Sequence, residues 1–314
     1  MDKTLAWLWL ADAVGSGCQY AQELLTLYPD PAELYDALRA GTEAPPACLT
    51  PHALAQLRDT TPFDYDERLD HCLLSGIDVL TPDEGVYPDR LRDLPDLPLA
   101  LYVTGDIACL NGRRYAGMVG TRRPSTYGRQ AAFDLSLAMA RAGVVLVSGL
   151  ADGLDSAGHR AAVKNGCPTI GILGVPIDRT YPAANVALRH TIEQNGCILS
   201  EYAPGESTPG PVGFLQRNRL IAALSSALLV VEAREKSGTM STVSHAERYG
   251  KPVFAVPGSI YSPDSAGTNR LLHEGRARAA CSGADLVQAL GLQASAAPEA
   301  ETRQPDPMTD TERR

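Results

Sequence analysis

Glycine, hydroxyl and arginine residues occur together in this 314-residue sequence at points where a strand is predicted to lead into a helix. The first such segment is Gly120-Thr121-Arg122-Arg123, which is followed by Ser125. Backbone amides at a helix start and arginine guanidinium groups both bind anions, phosphate in particular. A helix cap with solvated arginines would contain the same residues, so this segment alone leaves both interpretations open.

The same segment departs from the common nucleotide-binding loops. Arg122 stands where the dinucleotide motif GxGxxG has its second glycine, and the P-loop motif GxxxxGK[ST] occurs nowhere in the sequence. We therefore predict that this segment is neither a dinucleotide-binding loop nor a P-loop, and we expect no cofactor.

A second group of cations lies beside an aromatic residue. Arg217, Asn218 and Arg219 follow Phe214 at the start of an apolar helical pattern, and no acidic residue occurs between Ser207 and Val231. Cations bind phosphates and aromatic rings stack on unpaired bases, so this combination suits single-stranded nucleic acid. The segment Lys236-Ser237-Gly238-Thr239 predicts a further helix start that is open to an anion.

For two other loops, a purely structural role explains the residues at least as well as a functional one. Gly149 begins a glycine-rich loop that leads to Asp155 and His159, four residues apart on one helical face. Helix capping by Asp155 and packing of His159 explain this pair better than acid–base chemistry, because no neighbouring nucleophile or metal site is evident. Arg179 and Tyr181 could contact a phosphate and a base, or could belong to an ordinary strand–helix loop.

Composition excludes several classes of protein. The seven cysteines and six histidines are scattered, with neither a CxxC nor an HExxH motif, so we predict no disulfide scaffold and no metal site. The apolar runs are far shorter than the ~20 residues of a membrane span, and no secretory signal is evident at the N-terminus. We therefore expect a cytoplasmic protein that does not contact a membrane.

Charge is distributed unevenly along the chain. The net charge of −9 alone argues against a nucleic-acid ligand. However, residues 1–112 contain 6 basic and 19 acidic residues, whereas residues 113–292 contain 19 basic and 13 acidic residues. The basic excess is thus confined to the segment that carries the loops described above.

The elements that must position these loops alternate between strands and helices. Six continuous apolar segments are predicted as strands: Tyr115–Val119, Val144–Ser148, Thr169–Leu173, Cys197–Glu201, Ala227–Glu232 and Pro252–Val256. Five helices are predicted between or after them: Tyr127–Ala142, Asp155–Asn165, Asn185–Asn195, Phe214–Ser225 and Thr239–Tyr249. This alternation predicts an α/β fold with a doubly wound parallel sheet, whose ligands lie beyond the carboxyl ends of the strands.

The rest of the chain divides into three further parts. Residues 1–75 read as a small all-α module, with helices at Thr4–Ala13, Pro31–Ala40 and Thr50–Asp59. Residues 76–114 contain lead-in strands at Gly76–Leu80 and Leu99–Thr104, joined by a proline-rich connection. Residues 115–292 form the predicted α/β domain, and residues 293–314 are predicted to be a disordered tail.

Taken together, the loops resemble those of the DNA-processing protein A (DprA, also called Smf) family. The resemblance rests on segments that occur in order over residues 115–290: VGTRRPSTYG, SGLADGLDSAGH, IDRTYPAAN, SEYAPG, FLQRNRLIAALS, VVEAREKSGTMST and FAVPGS…GTNRLLHEG. It implies an extended Rossmann-like fold with a SAM-like helical module at the N-terminus. It also implies a non-catalytic homodimer that binds and protects single-stranded DNA during natural transformation and helps to load the RecA recombinase.

The family's basic pocket maps onto Arg122, Arg217 and Arg219. Two features depart from the family pattern. The segment Thr208–Gly213 has no lysine where the resemblance leads us to expect one, and residues 293–314 are too few and too polar to form the winged-helix domain of many members.

Two alternatives remain. One is a nucleotide-hydrolysing enzyme related to the nucleotide phosphoribohydrolases, for which Glu201 and Glu232 at strand ends are the available general bases. However, Ser237-Gly238-Thr239 lacks the glycine pair of those enzymes. The other alternative is that the acidic module 1–75 serves as an adaptor for a basic partner.

Overall fold

The computed structural model describes residues 2–41 and 44–292, so the predicted tail 293–314 lies outside the described residues. The described part of the N-terminal module contains five helices, two of which, α2 and α5, the sequence did not predict. They are α1 (Lys3–Val14), α2 (Ala21–Leu27), α3 (Pro31–Ala40), α4 (Pro51–Asp59) and α5 (Asp66–Leu74). Asp2, Asp30 and Thr50 cap α1, α3 and α4 with side-chain oxygens, and proline begins α3 and α4.

In the described part of the chain, nine strands form one sheet in the order β1-β2-β6-β5-β4-β3-β7-β8-β9. They are β1 (Asp78–Leu80), β2 (Leu101–Gly105), β3 (Arg114–Val119), β4 (Val144–Ser148), β5 (Thr169–Ile172), β6 (Cys197–Ser200), β7 (Ala227–Val230), β8 (Val253–Ala255) and β9 (Arg278–Ala279). From β6 to β9 all pairs are parallel, which confirms the doubly wound, Rossmann-like sheet. The two lead-in strands belong to this sheet, because β2 pairs antiparallel with β6 and β1 pairs antiparallel with β2.

Eight helices follow or connect these strands: α6 (Asp89–Arg92), α7 (Thr126–Arg141), α8 (Leu154–Lys164), α9 (Val186–Glu193), α10 (Pro211–Leu224), α11 (Thr239–Arg248), α12 (Ala266–His273) and α13 (Gly283–Ala289). The predicted helices agree within a few residues. The largest shift is in α10, which begins at Pro211 rather than Phe214 because proline fits the first position of a helix.

The two faces of the sheet have separate cores. Along β3, Tyr115 and Val119 pack in a cluster that also contains the N-terminal helices, whereas Ala116 and Met118 pack in a second cluster with α7 and α13. This division follows from the period of two along a strand. Within residues 2–41 and 44–292, no helix is both long enough and apolar enough to cross a membrane.

Strand order reverses at β3, because β4, β5 and β6 lie on one side of it and β7, β8 and β9 on the other. The loops that leave the carboxyl ends of β3 and β7 therefore diverge and leave a crevice between them, which is the usual ligand position in such sheets. The basic and glycine-rich loops of the sequence all begin at this edge.

Candidate functional site

A cavity of about 680 Å³ lies at this reversal point. It is lined by residues from the loops after β3, β4, β5, β6 and β7, by one side of α10 and by the first turn of α11. Nine of the predicted site residues line it: Gly120, Thr121, Arg122, Phe214, Arg217, Asn218, Ser237, Gly238 and Thr239. The structure thus brings together loops that are more than a hundred residues apart in the chain.

Arg122 is exposed at the cavity and lies against two aromatic rings. Its Cζ atom is 5.3 Å from the centroid of Phe214 and 5.9 Å from the centroid of Tyr181. The two rings are themselves 5.1 Å apart. Such cation–π contacts hold a guanidinium group in place while its N–H groups stay available for an anion.

Arg217 provides a second, buried cation. Its side chain is 5% exposed, and Nη1 donates a hydrogen bond to the carbonyl of Ile172 at 2.5 Å. Burial lowers the pKa of Arg217 to about 10, with Asp155 raising it and Arg122 lowering it further, so the group keeps its charge at neutral pH. Its Nε atom has no hydrogen-bond partner among the described residues.

Asp155 is the one carboxylate among the residues that line the cavity. Burial raises its pKa, while Arg217 and hydrogen bonds from Ala151 and Gly149 lower it. Its Oδ2 atom accepts a hydrogen bond from the backbone N–H of Gly149 at 3.1 Å. Gly153, rather than Asp155, is the N-cap of α8, so the predicted capping role is corrected to that of a loop-bracing carboxylate.

His159 packs away from the cavity. It is fully buried, and Nδ1 lies 2.8 Å from the hydroxyl of Thr169. Burial lowers the pKa of His159 to about 3, so the ring is neutral at physiological pH. This placement agrees with the packing interpretation of the sequence.

Two helix N-termini open onto the cavity. The N-caps of α10 and α11 are Gly210 and Gly238, and in the described part of the chain no side chain caps either helix. Asn218, in the middle of α10, ties this helix to the start of α11, since its Nδ2 donates to the carbonyl of Gly238 at 3.3 Å and to the hydroxyl of Ser241 at 2.9 Å. Each uncapped helix start carries about half a positive charge.

The N-terminus of α7, in contrast, already has an anion. The side chain of Glu232 accepts hydrogen bonds from the backbone N–H of Ser125 at 3.0 Å and from its hydroxyl at 2.5 Å. Glu232 is 2% exposed, and Gly128 leaves room for its carboxylate, because a Cβ there would overlap it. The prediction that Ser125 presents this helix start to an external phosphate is therefore corrected.

The prediction that Arg219 belongs to the basic pocket is also corrected. Its Nη2 donates to Glu201 at 2.5 Å and its Nε lies 3.8 Å from Asp96, with only 2% of the side chain exposed. Residues two apart on a helix point about 200° from each other, so Arg217 and Arg219 face opposite sides of α10. Of the two arginines that were expected in the pocket, Arg217 lines the cavity, whereas Arg219 forms buried ion pairs behind it.

The other predicted residues lie around the cavity without lining it. Arg123 and Lys236 are exposed beside it, and Arg179 donates from Nη1 to the hydroxyl of Thr208, a lining residue, at 2.9 Å. Gly149 lies beneath the floor, where a Cβ would overlap the Arg217 guanidinium.

Sequence reasoning did not identify the start of α10 as part of the site. The signal was present, because Gly210-Pro211 is a typical pair for an N-cap followed by the first helical residue. The role of Asp96 as a buried partner of Arg219 had no such signal, since it lies in an irregular connection far from Arg219 in the chain.

The chain is similar to known proteins in sequence and in fold. Residues 78–291 match the sequence profile of the family described as DNA recombination-mediator protein A. The chain is 37% identical to the DNA processing protein DprA of Bacillus subtilis over 215 residues, which is 68% of this chain and 72% of that protein. It is structurally similar to DprA of Streptococcus pneumoniae, with a TM-score of 0.76, 29% identity, and coverage of 91% of this chain and 97% of the other.

A second similar structure is that of DNA processing protein A from Helicobacter pylori, which concerns that protein's single-stranded DNA binding mode. Here the TM-score is 0.62 and the identity 35%, over 68% of this chain and 95% of the other.

Proposed function

Because the chain belongs to the DNA recombination-mediator protein A (DprA/Smf) family, we propose that it binds single-stranded DNA in the cavity at the sheet reversal point. The observation that carries this proposal is Arg122, which rests on Phe214 and Tyr181 opposite the buried Arg217. Arginines and open helix starts supply contacts for phosphates, and the aromatic rings offer surfaces on which bases stack.

The wider role follows from family membership. We propose that the protein acts as a cytoplasmic homodimer that protects incoming single-stranded DNA during natural transformation and helps to load the RecA recombinase. Support for these steps comes from the family resemblance and the similarity to DprA proteins. The cavity itself supports the binding of DNA.

We also propose that the protein is not an enzyme. Glu201 and Glu232 are the general bases that the enzyme alternative requires, and both already accept hydrogen bonds within the protein. Glu201 accepts from Arg219 and Ser16, and Glu232 accepts from Ser125. Asp155 at the cavity is tied to the backbone of Gly149. Release of free base from AMP, followed by chromatography, tests this alternative, and base release at a catalytic rate would replace the binding proposal by the enzyme one.

A salt titration of DNA binding tests the proposed interface. For a single strand, log K falls with log salt concentration with a slope of about −0.7 for each neutralised phosphate. Arg122→Ala should weaken binding to every sequence alike and should reduce the magnitude of the slope by about 0.7. The double variant with Arg217→Ala should lose more, and thermal unfolding would verify that it is folded.

Arg141→Ala is the matched control, because Arg141 is an exposed arginine at the opposite end of α7. It should bind oligo-dT as the parent does. Unchanged affinity of a folded Arg122→Ala, Arg217→Ala variant would refute the cavity as the DNA site.

A further inference from the structure

We infer that the cavity holds a phosphate monoester at the end of a DNA strand, in preference to the phosphodiesters within it. This inference rests on the proposed function, since it names the part of the DNA that the site selects. It is carried by the charge of the cavity and by two buried donors that have no partner among the residues described by the structure.

The charge of the cavity exceeds what one phosphodiester neutralises. Arg122 and Arg217 contribute two positive charges, and Asp155 removes one. The uncapped starts of α10 and α11 add about half a positive charge each. The excess is therefore about two charges, which matches a phosphate monoester of about −1.5 to −2 better than a diester of −1.

The cavity also has donors for more oxygens than a diester offers. Arg217 is at least nine-tenths buried and lines the cavity, yet its Nε atom has no partner among the described residues. The buried hydroxyl of Ser237, at the start of α11, is likewise unpartnered within that part of the chain. Buried polar groups of this kind are normally satisfied, so a ligand oxygen is expected at each.

The size of the cavity agrees with a terminal nucleotide. Its volume of about 680 Å³ lies within the range of about 300–1,000 Å³ that is typical of small-molecule sites. Tyr181 and Phe214 lie on the same wall as Arg122, so a base attached to the bound phosphate has an aromatic surface beside it. A phosphate alone would leave most of this space empty.

Three oligo-dT strands of one length and with one internal fluorophore test the inference by anisotropy. They carry a 5′-phosphate, a 3′-phosphate or hydroxyls at both ends. A phosphate-terminated strand should bind about tenfold more tightly than the hydroxyl strand, the effect of one further charge-assisted hydrogen bond. The two phosphate positions show which end of the strand enters the cavity.

Variants then assign the preference to the cavity. Ser237→Ala removes an unpartnered hydroxyl with little effect on packing and should reduce the end preference, as should Arg217→Gln. Arg141→Ala, outside the cavity, should retain it.

The outcomes separate the two proposals. Equal, tight binding of all three strands by the parent protein overturns the terminal monoester and leaves single-stranded DNA binding intact. A preference that persists in both folded cavity variants also overturns it. Failure of the parent to bind any of the strands overturns the proposed function itself.

Discussion

At the scale of single residues, Gly149 sets the position of the cavity floor. Its backbone N–H braces Asp155, and the Arg217 guanidinium occupies the space that a side chain at this position would need. The shape of the cavity therefore depends on a residue that contributes no side chain to it.

Gly149→Ala is expected to displace the Arg217 guanidinium. Overpacking of this kind costs about 1–3 kcal/mol in the free energy of unfolding, which denaturant titration measures, and the affinity for single-stranded DNA should fall in parallel. Gly85→Ala is the matched control, because a Cβ at Gly85 meets nothing within 4 Å. Parental stability and affinity in Gly149→Ala would contradict the described floor.

The residue scale also shows what the sequence could and could not predict about the site. Arg122, Phe214 and Arg217 were predicted from the sequence as parts of one site, and the structure places all three at one cavity. The spacing of Arg217 and Arg219 places them on opposite sides of α10, but which of them faces the cavity depends on how this helix packs on the sheet, which local patterns do not contain. The occupation of the α7 start by Glu232 depends on a contact across 107 residues, which local patterns do not contain.

At the scale of elements, three helix starts at one sheet edge differ in function. The starts of α10 and α11 open onto the cavity without a side-chain cap, whereas Ser125 and Glu232 close the start of α7. The protein thus satisfies one helix dipole internally and leaves two for a ligand.

Ser125→Ala tests this division. The loss of the cap should lower the free energy of unfolding by about 1 kcal/mol, as measured by denaturant titration. The salt dependence of DNA binding should stay as in the parent, because this helix start holds no external phosphate. If Ser125→Ala instead reduced the salt slope as Arg122→Ala does, α7 would have to be counted among the DNA contacts.

The sequence predicted the strands that are covered on both faces of the sheet, but it did not predict the shortest strands and helices. Continuous apolar strands such as Val144–Ser148 are readily recognised, because both faces of a parallel sheet are covered. The two-residue strand β9 and the four-residue helix α6 have too few residues to show a period. The antiparallel pairing of β2 with β6 is a tertiary contact and has no local signature.

At the scale of the whole molecule, one ionic cluster joins the helical module, the proline-rich connection and the sheet. Asp96, fully buried in the connection, accepts hydrogen bonds from Tyr249, which directly follows α11, at 3.0 Å and from Gln19 in the module at 3.2 Å. Arg219 of α10 lies between Asp96 and Glu201. The helical module and the sheet also share a hydrophobic core, because one cluster of buried residues includes Leu5 of the module and Leu271 of α12.

Arg219→Leu should therefore destabilise the whole protein. Removing the cation leaves two buried carboxylates without their partner, which costs about 3–5 kcal/mol in the free energy of unfolding. Arg248→Ala is the control, because Arg248 approaches the same Asp96 at 3.7 Å but is 44% exposed and should cost at most about 1 kcal/mol. Similar denaturation midpoints for the two variants would contradict the importance of the buried cluster.

The position of β2 determines when the chain can fold during its synthesis. β2 pairs on one side with β1, which precedes it, and on the other with β6, where Val103 lies opposite Leu199. The ribosome releases the chain from the N-terminus, so β1 and β2 emerge almost a hundred residues before β6 exists. Until then the backbone N–H and C=O groups on that side of β2 have no strand to pair with. We therefore expect this edge of β2 to remain open to pairing with other polypeptides until residue 200 has left the ribosome.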